Sequence, residues 1–260
     1  MMPIAISLLV LLGLIWGSGY SIARYAMTHG VPPLGYAFWQ SLGPFIVLLI
    51  VLKLKRTKLT LRARHIGFYC VTGLLGIAIP NTNMYFTAAH LPAGLLAVLI
   101  NTVPIFVYPL ALICREERFS LWRLLGVLLG LIGIALLLLP KLELSHVVIT
   151  PWLLQGFISP ISFALCVIFI ARFSPKETDA TTLSVGMLFF AALILTPLTF
   201  CLGQFYNPLP PMDISKWVVI LEIILSSLGY VLFFKLLNVA GPVYYSLGGA
   251  IVSLTGLCWG

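Results

Sequence analysis

Residues 65–114 read HIGFYCVTGLLGIAIPNTNMYFTAAHLPAGLLAVLINTVPIFVYPLALIC, fifty positions without a single Asp, Glu, Lys or Arg. A membrane-spanning helix needs about 20 apolar residues, so this uncharged stretch is long enough for two spans. The sequence His-Leu-Pro-Ala-Gly at 90–94 interrupts it, and the chain is expected to turn there. The stretch predicts a protein that crosses the lipid bilayer repeatedly.

The overall composition supports the same prediction. Hydrophobic residues make up 61% of the 260-residue chain and charged residues only 8%, whereas a soluble domain carries about 25% charged residues. The net charge of +8 comes from residues in loops between apolar runs, so the expected partner is an anionic membrane surface and not nucleic acid. The five cysteines are scattered without a metal-binding or redox spacing.

Apolar runs, charges and Pro/Gly breaks together predict an all-α, polytopic membrane helix bundle with nine visible spans. The first eight spans are predicted at 3–23, 33–52, 66–88, 92–113, 120–140, 152–171, 180–202 and 216–234. The ninth begins near Val239 and is still apolar at Gly260.

Basic residues are distributed unequally between the two sides of these spans. Twelve of the fifteen follow spans two, four, six and eight, and only Arg24, Lys141 and Lys216 lie on the other side. Loops rich in Lys and Arg remain in the cytoplasm, so the sequence predicts a cytoplasmic N-terminus and a multi-pass protein of the cytoplasmic (inner) membrane.

The chain divides into two units of similar plan. Residues 3–140 hold five spans, and after a polar break at 141–150 the pattern restarts and continues over 152–260. Because the first unit has an odd number of spans, the second enters the membrane from the opposite side, which is typical of transporters with inverted repeats. The second unit is one span short of five.

Several motifs resemble the EamA-type transporters of the drug/metabolite transporter superfamily. In chain order they are Trp16-Gly17-Ser18-Gly19-Tyr20 followed by Arg24, Asn101-Thr102-Val103-Pro104-Ile105-Phe106, Arg115-Glu116-Glu117-Arg118, and the glycines Gly126, Gly130 and Gly133. The resemblance covers most of 3–140 and, more loosely, 152–260. It implies two inverted five-helix repeats, ten helices in all, and the transport of small metabolites. The tenth helix and the second copy of the Arg-Glu-Glu-Arg turn are missing from this sequence.

Glu222 is the most informative single residue. It lies six positions into the predicted span eight, where an ionisable group costs about 2.5 kcal/mol or more and usually faces a cavity or a partner. Ser226 and Tyr230 follow at i+4 and i+8, so the three share one helix face. Glu222 is therefore a candidate for proton coupling or for binding an amine. The alternative is a glutamate near the outer end of the span that reaches interfacial water.

Polar and aromatic side chains concentrate in the outer half of the predicted spans. An aromatic belt at the membrane interface accounts for some of the Trp and Tyr, but buried amides need partners or water. These residues predict a central hydrated cavity. The candidate substrate-binding residues are Trp16, Tyr20, Trp39, Gln40, Asn81, Tyr85, Asn101 and Tyr108. Asn83 is expected to join the same polar lining.

Two features of the helices allow more than one interpretation. Pro104 leaves the carbonyl of Ile100 without its helical donor, so it is either a tolerated kink or a gating hinge. Gly126 and Gly130 are spaced as Gly-x-x-x-Gly, which predicts a close approach of two helices. The four histidines are interpreted as solvated side chains.

The sequence favours a secondary transporter that moves small metabolites, amino acids or similar amphipathic compounds, by alternating access. No cofactor and no metal is expected, since the sequence has no Walker-type loop and no metal-ligand spacing. The expected partners are a small-molecule substrate and the lipid bilayer, and the sequence does not indicate an oligomeric state. The alternative is a non-transporting paralogue that acts as a scaffold or assembly partner. A membrane enzyme is disfavoured, because Glu222 is isolated from other ionisable groups.

Overall fold

The computed structural model describes residues 2–88, 90, 99–138, 151–208 and 213–259. Every regular element within these ranges is helical. The α-helices are α1 (Met2–Thr28), α2 (Pro33–Leu54), α3 (Ala63–Gly73), α4 (Ile79–Ala88), α5 (Val103–Ile113), α6 (Leu121–Leu138), α7 (Pro151–Gly156), α8 (Ile158–Phe173), α9 (Ala180–Cys201), α10 (Ile214–Ser246) and α11 (Gly249–Trp259). A π-helical segment, Leu74–Ala78, joins α3 to α4.

Six helical stretches are long and apolar enough to cross a membrane. They are Pro3–Thr28, Pro33–Leu54, Ala63–Thr87, Pro151–Phe173, Ala180–Cys201 and Ile214–Ser246, which correspond to predicted spans one, two, three, six, seven and eight. Two shorter apolar helices, Val103–Ile113 and Leu121–Gly130, lie in predicted spans four and five. Residues 92–98 and 139–140 of those two spans lie outside the described ranges. The predicted all-helical, multi-span architecture is confirmed for the part that is described.

The predicted boundary between spans eight and nine is wrong. Lys235 and Asn238 suggested a loop, but both side chains are exposed and α10 continues past them. The helix is interrupted at Gly241, whose φ of 80° and ψ of 175° are accessible to glycine alone, and Pro242 then supplies no backbone donor. A second interruption follows at 247–248, a turn that separates α10 from α11 inside the predicted ninth span.

The π-helical segment lies in the middle of the third span. It is followed by Pro80, which lacks an N–H, so both features leave backbone carbonyls in this span without their usual helical partners. Side chains of α8 fill this gap. Ser159 Oγ donates to the Pro80 carbonyl at 2.9 Å, and Ser162 Oγ donates to the Leu75 carbonyl at 2.7 Å. These bonds attach α8 to the irregular part of the third span.

The helices pack in a pattern that connects the two halves of the chain. α1 lies against α10 and α11, while α8 lies against α4 and α5. α2 lies along α9, α3 also contacts α9, and α10 also contacts α2. One core cluster of buried apolar side chains runs through α1–α3, α5, α6, α8, α9 and α10, so helices from both predicted units share it.

The two ends of the bundle differ in charge. At one end, which we call the basic end, Arg172 of α8 donates to the Cys114 carbonyl at 2.7 Å and lies 3.5 Å from Glu116, and His65 bonds with Thr178 at 3.2 Å. At the opposite end, residues 204–206 fold onto the start of α2, where the Leu34 amide donates to Gln204 Oε1 at 3.2 Å.

Close approach of helices occurs at glycines of α3 and α9. A methyl group at Gly73 would lie 2.8 Å from backbone atoms of Met187 and Ala191, and one at Gly186 would lie 2.3 Å from the Tyr69 ring. By contrast, nothing among the described residues lies within 4 Å of a methyl group at Gly126 or Gly130. The close approach predicted for those two glycines is therefore absent from the described contacts.

Candidate functional site

A cavity of about 150 Å³ lies between the helices in the middle of the bundle. Since roughly 15 Å³ of such space holds one water, it is large enough for on the order of ten waters or for a small metabolite. Its walls come from residues of both predicted units, including Trp16 of α1, Gln40 of α2, Asn81 of α4 and Glu222 of α10.

One wall carries a network of polar side chains that we call the carboxyl cluster: Gln40, Asn81, Tyr85, Glu222 and Ser226. Gln40 Nε2 donates to Glu222 Oε1 at 3.1 Å, and Ser226 Oγ donates to the same oxygen at 2.8 Å. The other end of the Gln40 amide accepts two bonds, from Asn81 Nδ2 at 3.2 Å and from the Tyr85 hydroxyl at 3.0 Å. The cluster thus connects α2, α4 and α10 through a single glutamine.

The Glu222 carboxyl is buried, with 4% of the residue exposed. Its Oε1 has the two bonds described above, but its Oε2 is buried without a hydrogen-bond partner among the described residues. A buried carboxylate oxygen without a partner is costly, so it needs a proton, water or a bound ligand. Gly19 of α1 faces this carboxyl, and a methyl group there would lie 3.2 Å from Oε1 and 3.4 Å from Oε2.

Simple helix geometry explains how these side chains meet. Glu222, Ser226 and Tyr230 are spaced by four residues and share the face of α10 that is buried. Asn81 and Tyr85 are likewise four residues apart on α4, directly after the π-helical segment and Pro80. The predicted polar stripe on span eight is therefore present, and it faces the cavity through Glu222 and Tyr230.

Aromatic side chains form a second wall of the cavity. The Trp16 ring lies 5.7 Å from the Phe233 ring and 5.8 Å from the Tyr245 ring, and the Phe233 and Tyr245 centroids are 5.0 Å apart. All three residues line the cavity. Since Trp16 precedes Gly19 by three residues, about 4.5 Å of helix rise separates this aromatic wall from the residue facing the carboxyl.

Two interrupted helices meet at the cavity. The turn at Asn101 and Thr102 precedes α5, and the turn at 247–248 precedes α11. In the first turn the Thr102 amide bonds to the Leu99 carbonyl, and in the second the Gly248 amide bonds to the Tyr245 carbonyl, so both are tightened to i→i+3 bonding. A methyl group at Gly249 would lie 2.6 Å from Asn101 Oδ1, so the two turns are in direct contact.

Most of the predicted site residues line this cavity. Those that do are Trp16, Gln40, Asn81, Tyr85, Asn101, Pro104 and Glu222. Tyr20 lies on α1, but its side chain is outside the described part of the structure. Trp39 does not line the cavity, because its Nε1 donates to the Tyr206 carbonyl at 2.7 Å at the opposite end. Tyr108 does not line it either: its hydroxyl exchanges two bonds of 3.0 Å with the Ser120 backbone.

Asn83 also lies apart from the cavity. Its Nδ2 donates to the Gln155 carbonyl at 3.0 Å and to Ser159 Oγ at 2.9 Å. Asn83, Ser159 and Ser162 together form what we call the serine ladder, which joins the third span to α8. The sequence prediction placed Asn83 with Asn81, but residues two apart on a helix point in nearly opposite directions.

The structure adds lining residues that the sequence did not single out. Gly19 was noted only as part of the first motif, and Phe233, Tyr245 and Gly249 were not identified as site residues. The available signal was the Gly248-Gly249 pair within an apolar run, which is typical of an interrupted helix. Among the described residues no group of three or more His, Cys, Asp or Glu side chains is arranged to hold a metal ion.

Comparison with known proteins gives a consistent result. Residues 3–139 match the EamA-like transporter family. YoaV, an uncharacterized transporter of Bacillus subtilis, is 27% identical over 122 residues, which are 46% of this chain and 41% of YoaV. YedA, an uncharacterized inner membrane transporter of Escherichia coli K12, is 33% identical over 132 residues, which are 48% of this chain and 40% of YedA. The chain thus spans about two fifths of these relatives.

Similarity extends over more of the chain in two further comparisons. YvbV, another uncharacterized transporter of Bacillus subtilis, is 23% identical over 235 residues, covering 89% of this chain and 74% of YvbV. A solved crystal structure superimposes with a TM-score of 0.61 at 16% identity, covering 98% of this chain and 83% of that one. At this identity the crystal structure supports the fold alone.

Proposed function

The chain belongs to the EamA-like transporter family and is a multi-pass membrane transporter, and we propose that it moves small amphipathic metabolites, amino acids among them, by alternating access. The observation that carries the proposal is the cavity in the middle of the bundle. It combines hydrogen-bonding amides, an aromatic wall and one buried carboxyl, which suits a ligand with a polar head and an apolar body.

The packing of the helices supports two inverted repeats, residues 3–140 and 152–260. Corresponding spans in the two units are one and six, two and seven, three and eight, and four and nine. The contacts of α1 with α10 and α11 then have their counterpart in the contacts of α8 with α4 and α5. The turn at 101–102 likewise corresponds to the turn at 247–248, since each interrupts the fourth span of its unit.

This arrangement provides a mechanism for alternating access. The cavity lies where the two units meet, so rocking one unit against the other exposes it first to one side of the membrane and then to the other. The distribution of basic residues places the N-terminus and the basic end in the cytoplasm. Pro104 and the two turns lie at the cavity, where small backbone changes can open or close it.

Glu222 is the residue we assign to energy coupling. Its carboxyl faces the cavity, and it can exchange a proton whenever the cavity is open to water. Gln40 and Ser226 hold Oε1 in place, so protonation and ligand binding are directed to Oε2. A gradient of protons or of substrate then drives net movement.

The test is exchange of labelled amino acids in proteoliposomes at several pH values. The parent protein is expected to exchange at least one compound, with a rate that depends on pH. Glu222→Gln should slow exchange by about tenfold or more, since a hydrogen bond to a charged group contributes about 1.5–3 kcal/mol. It should also remove the pH dependence. The matched control is Glu177→Gln, the same change at an exposed position of the basic end.

The outcomes separate the two parts of the proposal. If the parent exchanges none of the compounds, the transport function proposed for this chain is wrong. If it does exchange them, but Glu222→Gln leaves both the rate and its pH dependence unaltered, transport stands and the proton role of Glu222 is wrong.

A further inference from the structure

The Glu222 carboxyl has one oxygen prepared for a ligand. Oε1 accepts from Gln40 and Ser226, which fixes the orientation of the carboxyl group, while Oε2 is left without a partner among the described residues. A group held in position before binding loses less conformational freedom when the ligand arrives. Oε2 is therefore a pre-oriented hydrogen-bond acceptor in the wall of the cavity.

The charges around the carboxyl define which ligand suits it. The described residues that line the cavity include no Lys, Arg or His, and Glu222 is the only acidic residue among them. The titratable groups facing Glu222 are tyrosines: Tyr36 and Tyr230 interact with it directly, and Tyr85 reaches it through Gln40. A carboxylate in these surroundings favours a cation and disfavours an anion, because no buried positive charge offsets it.

Gly19 determines how much room the cation has. A carbon atom at the Cβ position of residue 19 would lie 3.2 Å from Oε1 and 3.4 Å from Oε2 of Glu222. A charge-assisted N⁺–H···O⁻ bond is about 2.7–2.9 Å long, so an ammonium nitrogen fits close to this position. A quaternary ammonium has no N–H to donate, and its methyl groups would have to occupy the same narrow space.

We propose that Oε2 of Glu222 binds a primary ammonium group of the substrate in the space beside Gly19, with the apolar body of the substrate against Trp16, Phe233 and Tyr245. This inference rests on the proposed transport function and names the chemical class that the cavity accepts. Amino acids then bind through their amino group. Simple arylalkyl amines, which lack a carboxylate, bind at the same subsite.

The experiment measures binding to the purified full-length chain in lipid nanodiscs by isothermal titration calorimetry. The probes share one phenylethyl body and differ at the head: phenethylamine, its N,N,N-trimethyl derivative, 2-phenylethanol and phenylacetate. Phenethylamine is expected to bind about tenfold or more tightly than the alcohol, the acid and the trimethyl derivative, since hydrogen bonds to charged groups contribute about 1.5–3 kcal/mol.

Two variants connect this preference to the structure. Glu222→Gln keeps the size of the side chain, and it should reduce phenethylamine binding to the level of the alcohol. Gly19→Ala should weaken the amine more than the alcohol, because the new methyl group occupies the ammonium position. Its matched control is Gly67→Ala on α3, where nothing lies within 4 Å of the added methyl group. Circular dichroism and thermal unfolding establish that each variant is folded.

The result that overturns the inference is equal binding of amine and alcohol, tighter binding of the acid, or no binding of any probe to the parent. A folded Glu222→Gln protein that still prefers the amine overturns it as well. Amine-selective binding in a protein that exchanges nothing in proteoliposomes refutes the transport function and leaves the subsite. Exchange of amino acids without amine selectivity refutes the subsite alone.

Discussion

The carboxyl cluster and the serine ladder both bury polar side chains between membrane helices, and both include an asparagine from the third span. In the serine ladder the bonds go to backbone carbonyls or to another ladder side chain, as with Ser162 and the Leu75 carbonyl. In the carboxyl cluster the bonds join side chains from three helices, and one carboxyl oxygen is left without a partner among the described residues. Completeness of hydrogen bonding, and not burial, separates the two.

This difference follows from what each cluster replaces. The π-helical segment and Pro80 leave carbonyls in the third span without helical donors, and the serine ladder supplies donors to them. The carboxyl cluster repairs no defect of the backbone. Its glutamate adds a buried ionisable group that the fold does not require, and such groups inside membranes usually mark substrate or ion pathways.

The largest effect is expected from Gln40→Leu in the carboxyl cluster. Leucine removes the donor to Glu222 and the acceptor for Asn81 and Tyr85, and interhelical bonds of this kind contribute about 0.6–1.7 kcal/mol each. Substrate affinity should fall by about tenfold or more, measured by the half-saturating concentration for exchange. Gln204→Leu removes one bond at the opposite end and should leave the affinity unchanged. Equal affinities in the parent and Gln40→Leu would show that the cluster does not bind substrate.

Asn83→Ala tests the serine ladder by the opposite criterion. It removes the bonds to the Gln155 carbonyl and to Ser159, so the free energy of unfolding should fall by about 1–2 kcal/mol with no change in substrate affinity. Denaturant titration in detergent measures the first quantity and exchange assays the second. Asn81→Ala should show the reverse pattern. If both asparagine variants lost affinity alike, the division between the two clusters would be incorrect.

A smaller effect is expected from Ser162→Ala. This variant removes a single bond to the Leu75 carbonyl, so the loss of stability should be about 0.6 kcal/mol. Ser226→Ala, which removes one donor to Glu222, is the matched change in the carboxyl cluster. It should alter the pH dependence of exchange, whereas Ser162→Ala should not. A shift in pH dependence for Ser162→Ala would contradict the comparison.

The smallest effect on transport is expected from Trp39→Phe and Tyr108→Phe. Both residues were predicted to bind substrate, but their polar atoms bond to the backbone of Tyr206 and Ser120 outside the cavity. Affinity should stay within about twofold of the parent, while each variant loses about 0.5–1.5 kcal/mol of stability. A tenfold loss of affinity in either variant would return that residue to the list of site candidates.

The extent of agreement between sequence and structure follows from the periodicity of helices. Lipid requires long apolar runs, so the spans could be predicted from composition alone. Glu222 could be identified because a carboxyl within such a run is exceptional. Ser226 and Tyr230 then followed from their spacing of four residues along the same face.

Other features depended on contacts that no local pattern contains. Trp39 and Gln40 are adjacent in sequence, and only the docking of residues 204–206 onto α2 explains why the first lies outside the cavity and the second within it. The end of α10 was misplaced because Lys235 and Asn238 are exposed at the surface without interrupting the helix. Gly19 was overlooked as a site residue because a glycine shows its role only through what faces it.

The π-helical segment at Leu74–Ala78 has a consequence for how this sequence tolerates insertions and deletions. Loss of one residue there would restore regular α-helical winding and turn everything that follows by about 100°. The span would keep its length and its hydropathy, yet Asn81 and Tyr85 would rotate away from Gln40, and Asn83 would leave Ser159. A one-codon gap in this segment, nearly invisible in a hydropathy plot, would therefore separate a binding-competent descendant from an inactive one.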